Sequence, residues 1–166
     1  MSENSDKISA QIEKEGKAFF YTRGFSMLPM LKEGRDVSVL VPLSREPARG
    51  DVVLFIRRHN NDRLILHRVI RKRDKDTYII RGDNAYFNEP VKKDDILALL
   101  EGFFRKGKYY DCEKSKRYKA YSALRVFFFP LRKLVRVKLR RALAKVKNNV
   151  FHLNNLHLDN ILGIKR

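Results

Sequence analysis

Asp51-Val52-Val53-Leu54-Phe55-Ile56, the polar His59-Asn60-Asn61-Asp62, then Leu64-Ile65-Leu66-His67-Arg68-Val69-Ile70 form the stretch whose reading decides the fold class. Two short apolar runs rich in β-branched residues flank a polar turn. Each is too short for an ordinary helix, so the pair reads as strands joined by a hairpin-type turn. Working outward toward the N-terminus, Pro42, Pro47 and Gly50 punctuate a loop, and Gly34-Arg35-Asp36 turns into a strand over 37–41. The aromatic stretch Ala18–Arg23 comes before that, and residues 6–18 carry Ile8 and Ile12 at helical spacing. Toward the C-terminus, a charged turn at 71–76 precedes a strand at 77–80, and Gly82-Asp83-Asn84 turns again. Ile96–Leu100, Phe103-Phe104 and Lys108-Tyr109-Tyr110 complete the set. Short strands with turns every 8–12 residues imply a mainly β domain, sheet-like or barrel-like, over 18–112. Residues 1–17 read as a helical or flexible leader to it.

The remaining residues, 113–166, differ in kind. From Ser115 to Lys147 there is no Gly and one Pro, and Pro130 divides the segment into two helical pieces, 115–129 and 131–147. Leu131, Val135, Leu139, Ala142 and Val146 fall on one helical stripe, with Arg and Lys around it. The whole chain of 166 residues has a formal net charge of +18. Residues 113–166 hold 15 basic and two acidic side chains, so most of that excess sits in the tail. Such asymmetry points to an anionic partner, a membrane surface or a nucleic acid. No RNA-binding signature accompanies the aromatics, which disfavours nucleic acid and leaves an anionic membrane surface, engaged through 115–147, as the expected partner; the alternative is a tail that folds back on the β domain, with Phe127–Phe129 as a clasp.

The composition excludes several classes. A hydrophobic content of 43% supports a packed core and argues against a disordered polycation. One cysteine, Cys112, allows no intrachain disulfide and no multi-cysteine zinc site. No run of 18 uncharged apolar residues suggests a membrane-crossing helix. Met1–Lys7 lacks the basic start and apolar middle of a secretory signal, so a cytoplasmic location, peripheral to the inner membrane face, is the expectation.

Three segments carry candidate chemistry: Gly24-Phe25-Ser26-Met27-Leu28-Pro29, Leu66-His67-Arg68-Val69 and Arg81-Gly82-Asp83-Asn84. Each alone reads equally well as a turn or a strand. A serine held near a proline presents a hydroxyl on a stiffened backbone, and a strand histidine is a ready proton acceptor near neutral pH. Taken in order with Gly50-Asp51-Val52-Val53, the series resembles the type I signal peptidases, in the wider group that also holds the self-cleaving repressor proteases. The resemblance covers residues 18–105. It implies a signal-peptidase/LexA-like β domain, here with a C-terminal basic helical extension. It implies a serine endopeptidase that needs no cofactor or metal and cleaves leader or signal-like peptides after small residues at the first and third positions before the bond.

Most bacterial members place a lysine base on the second of these strands, whereas the endoplasmic-reticulum and archaeal type places a histidine. His67 aligns this chain with the latter, so Ser26 is the expected nucleophile and His67 its base. The carboxylate that orients His67 is open between two residues. Asp83, in the Gly-Asp-Asn turn, is the first candidate. The endoplasmic-reticulum type carries a second acidic residue six positions later, which lands on Glu89; the alternative for Glu89 is a plain loop residue before Pro90. Many relatives carry a hydroxyl residue two positions before the nucleophile as an oxyanion donor. Gly24 occupies that position here, and Thr22 would replace it only if the chain bends.

Other polar residues read more simply. Asp36 and Asp51 follow glycine-containing turns and are expected to hold strand starts. His59 sits in a polar turn. His152, His157 and Asp159 lack a second pair for a metal, Cys112 lies near no motif, and Phe127-Phe128-Phe129 reads as a packing clasp. The competing reading of the chain is a non-catalytic peptide- or membrane-binding module on the same fold. A repressor-like regulator would need a helix-turn-helix domain, and none fits in the residues before Ser26.

Overall fold

The computed structural model describes residues 3–58 and 62–131, together with 134, 135 and 137–139. The chain divides into two compact units, 1–126 and 127–166. The first holds α1 (Glu3–Glu15), eight strands and nearly all of α2 (Lys116–Phe127). The strands are β1 (Ala18–Tyr21), β2 (Asp36–Val41), β3 (Val52–Arg57), β4 (Arg63–Lys72), β5 (Thr77–Arg81), β6 (Glu89–Lys92), β7 (Ile96–Arg105) and β8 (Lys108–Asp111). They form one antiparallel sheet in the order β1-β2-β7-β3-β4-β5-β6, with β8 paired to β7. The mainly β expectation thus agrees with the architecture. Among the described residues no helix is long and apolar enough to cross a membrane.

The unbroken apolar run of β3 has a direct physical cause, because both faces of this central strand are covered. Val52 and Leu54 enter one core cluster with Met27, Met30, Leu31, Leu40, Leu66 and Phe103. Val53 and Phe55 enter a second with Val69, Tyr78, Ile80 and Val91. Side chains alternate along a strand, so a strand buried on both sides shows continuous rather than alternating hydrophobicity.

Two elements differ from the sequence reading. β7 runs unbroken from Ile96 to Arg105, where two separate segments are expected from the Glu101-Gly102 interruption. The sheet absorbs that interruption as a bulge: Val39 pairs with Gly102 and the next residue, Leu40, with Leu100. A Cβ on Gly102 would lie 2.5 Å from the Tyr109 hydroxyl, so β8 can lie across β7 only over a glycine. β6 also stands where a loop is expected, and it carries Glu89 opposite Ile80 of β5.

The helices begin and end for local reasons. α1 closes at Gly16, whose N–H donates to the Ile12 carbonyl at φ +71°. α2 opens at Ser115, whose hydroxyl accepts the Tyr118 N–H at 3.2 Å. Most of the expected second helical piece, 131–147, lies outside the described residues, as do His59, His152, His157 and Asp159.

Candidate active site

Alternation on β4 divides the labour of two adjacent residues. His67 pairs across the ladder with Val53, and Arg68 with Val52, so they point to opposite faces of the sheet. On one face, His67 is 4% exposed and its ring lies 5.9 Å from that of Phe55. Its Nδ1 is 2.7 Å from Glu89 Oε1. Glu89 also accepts from the Arg57 guanidinium, through Nε at 3.1 Å and a second, shorter contact. Burial works against a charge on Glu89, but the hydrogen bonds from His67 and Arg57 outweigh it. Its carboxyl therefore stays below the usual glutamate value. An ionised carboxylate only accepts, so Nδ1 carries the hydrogen toward Glu89, and Nε2, on the other side of the ring, is not engaged by it.

Nε2 faces the Ser26 loop across Gly82. A Cβ on Gly82 would lie 2.8 Å from His67 Nε2, 3.0 Å from Ser26 Cβ and 2.7 Å from the Ser26 carbonyl oxygen. Nε2 and the serine Cβ are therefore within about 6 Å of each other. That span lets a serine hydroxyl swing toward the imidazole. Among the described residues no hydrogen bond joins them. The adjoining Asn84 N–H donates to the Ser26 carbonyl at 2.7 Å and ties the turn to the serine loop.

The serine loop is held from several sides. Gly24, at φ +80°, donates its N–H to Glu33 at 2.8 Å. Arg35 and Arg105 both donate to the Met30 carbonyl, and both converge on Asp36. Burial opposes a charge on Asp36, and the two arginines with the Lys32 N–H overcome it, lowering its pKa. Asp36 thus clamps the loop against β2 and β7. Asp51 holds its own turn, accepting from Arg45 and from the Ala48 N–H.

Asp83 does not orient His67. Its two oxygens accept the Arg68 fork, from Nε at 2.7 Å and from a terminal nitrogen at 2.8 Å, and Oδ2 also receives the Tyr121 hydroxyl at 3.0 Å. The reason is geometric. Gly82 lies against His67, so the next side chain in the turn leaves toward Arg68. Of the two acidic residues open in the sequence, Glu89 is the one on the imidazole.

Arg68 is the central residue that the sequence reading passed over. Fully buried, it donates to the Gly50 carbonyl at 2.7 Å and to Ser122 at 2.9 Å, as well as to Asp83. Burial opposes its charge, and Asp83 more than restores it, so its pKa is raised. An arginine within an apolar strand was the available signal, since a buried guanidinium must find a carboxylate. Arg57 carried no such signal, because only the fold brings it to Glu89.

Other side chains near the site have local partners. The Thr22 hydroxyl lies 3.2 Å from Ser38 Oγ, so it is engaged away from the position vacated by Gly24. Lys72 pairs with Glu46. Burial pushes the Cys112 thiol up to about 12, which makes it an inert core residue. Among the described residues no cluster of His, Cys, Asp and Glu is arranged to hold a metal.

Comparison with family models, with curated proteins and with solved structures finds no match for this chain.

Proposed function

We propose that the chain is a serine endopeptidase of signal-peptidase type, with Ser26 as nucleophile, His67 as general base and acid, and Glu89 as the group that orients His67. One observation carries this reading: an imidazole hydrogen-bonded to a carboxylate through Nδ1 presents Nε2 to the Ser26 loop. Nε2 takes the Ser26 proton as Oγ bonds to the substrate carbonyl carbon. Glu89 stabilises the imidazolium that results. Nε2 then gives the proton to the departing amine nitrogen as the C–N bond breaks. Water attacks the acyl-serine carbonyl and passes a proton to Nε2, which returns it to Ser26 Oγ as the ester C–O bond breaks and the acid product leaves. The Ser26 backbone N–H is the proposed oxyanion donor, because the Gly24 N–H is already committed to Glu33.

On this reading the substrates are leader or signal-like peptides with small residues at the first and third positions before the bond. The basic segment 115–147 draws the enzyme to anionic lipid on the cytoplasmic side, at about 1 kcal/mol for each Lys or Arg near the surface. The test is a library of peptides carrying alanine at those two positions, incubated with native protein, Ser26→Ala and His67→Ala. Native protein should cleave, and each variant should lose about 10⁴-fold in rate. Cleavage by Ser26→Ala at the native rate would sink the assignment. One observation favours a slower or non-catalytic module: Gly24 supplies no hydroxyl to the oxyanion and Thr22 is turned to Ser38. Peptide binding without cleavage by the native protein would establish that alternative.

A further inference from the structure

Helix α2 grips the back of the site. Its Tyr121 hydroxyl donates to Asp83 Oδ2 at 3.0 Å. Ser122 receives Arg68 at 2.9 Å and donates to the Gly50 carbonyl at 2.9 Å. The Tyr118 hydroxyl lies 3.1 Å from the same Arg68 nitrogen, and both tyrosine rings flank the guanidinium, with centroids 5.5 and 5.6 Å away. A Cβ on Gly50 would lie 2.8 Å from Ser122 Oγ, so the turn before β3 is shaped to admit this serine. On the far side, Arg125 donates to the Tyr121 hydroxyl at 2.9 Å, and its carbonyl accepts from Arg81 at 3.3 Å.

These contacts end on one turn. Asp83 stands between Gly82, which abuts His67 Nε2 and Ser26, and Asn84, whose N–H holds the Ser26 carbonyl. The carboxylate that α2 holds therefore belongs to the peptide segment that sets the distance between nucleophile and base. We propose that α2 is a positioning element of the active site, and that Tyr121, acting through Asp83, fixes the 82–84 turn so that Ser26 and His67 keep a productive spacing. This deepens the serine-peptidase reading and rests on it. Tyr121 touches neither reacting group. Its effect passes through a buried, fully hydrogen-bonded pair, in which one missing hydroxyl leaves a carboxylate oxygen under-satisfied and free to shift. Displacements well under 1 Å between reacting groups are enough to slow a reaction.

The experiment uses the full chain as native protein, Tyr121→Phe, Ser122→Ala, and Glu13→Ala as an exposed control on α1. Acylation of Ser26 by a fluorophosphonate probe and cleavage of an alanine-containing peptide are measured beside the melting temperature. Tyr121→Phe should slow acylation and lower kcat about tenfold with KM unchanged, with most of the protein still folded at the assay temperature. Glu13→Ala should match native protein. Equal acylation and kcat in folded Tyr121→Phe would overturn the proposal, as would a loss confined to melting temperature. Amide spectra separate this from a failure of the enzyme reading. If the native protein is neither acylated nor active, the peptidase assignment falls. The Ser26 and Asn84 amide resonances then judge the coupling: displacement in Tyr121→Phe supports it, and unmoved resonances overturn it.

Discussion

His67–Glu89 and Arg68–Asp83 are two acid–base pairs contributed by neighbouring residues of β4, and they are built to different specifications. Asp83 and Arg68 are each 1% exposed at the side chain, joined by two hydrogen bonds and closed over by Tyr121, Ser122 and Gly50. Glu89 keeps 16% exposure, makes a single bond to His67, and leaves Nε2 uncommitted to it. The first pair is committed to structural hydrogen bonds, and Asp83 holds the buried Arg68 guanidinium charged. The second has one end satisfied and one end presented. One strand holds both pairs apart by sending consecutive side chains to opposite faces.

The largest expected consequence concerns the buried pair. Asp83→Ala should cost about 3–5 kcal/mol of stability, because it leaves a guanidinium buried without its carboxylate. Chemical denaturation measures this, and a loss below about 1 kcal/mol would mean that Arg68 finds another partner. Glu89→Gln should behave in the opposite manner. The fold should persist, while peptide cleavage should fall about 100-fold or more, since a neutral amide no longer stabilises the imidazolium. If both substitutions reduce stability and rate in the same proportion, the division of labour between the pairs is wrong.

Gly82→Ala tests the space between the two pairs. Its methyl would meet the Ser26 carbonyl at 2.7 Å and Nε2 at 2.8 Å, so the serine loop must retreat. The expected cost is about 1–3 kcal/mol in stability, as for overpacking elsewhere, with a disproportionate loss of acylation rate. Unimpaired acylation would show that the loop tolerates displacement.

The smallest effect is one of pH. Glu89 has a folded pKa below its ordinary value of 4.5. Its contribution to stability is therefore fully present above that value and is lost as pH falls from 4.5 through the folded pKa. In urea titrations across that range, Glu89→Gln should flatten part of the acid-side decline seen in native protein. An unchanged slope would place the acid sensitivity elsewhere, with Asp36 the next group to substitute.

Much of this was legible in the primary structure. The apolar runs with turn residues between them are strands, as expected for β2 to β5, and 115–129 predicts α2. Ser26 and His67 stand out by motif order, and both lie against Gly82. The less legible parts share one cause, because they depend on contacts between distant segments. Glu89 looks like a loop residue until β6 pairs with β5. Tyr121 and Ser122 look like tail residues until α2 docks on Arg68.

By itself, then, the sequence determined most of the strands and turns, because hydrophobic period, glycine and proline act within a few residues, and it marked Ser26, His67, Asp83 and Glu89 as the candidates for chemistry. Only the tertiary structure decided which carboxylate each partner receives. Asp83 and Glu89 differ little as isolated acids. Gly82's contact with His67 turns Asp83 toward a buried arginine, while the β5–β6 ladder carries Glu89 to the imidazole. Such pairing is settled by strand register and by the need to satisfy every buried charge, and neither is a property of any local stretch of chain.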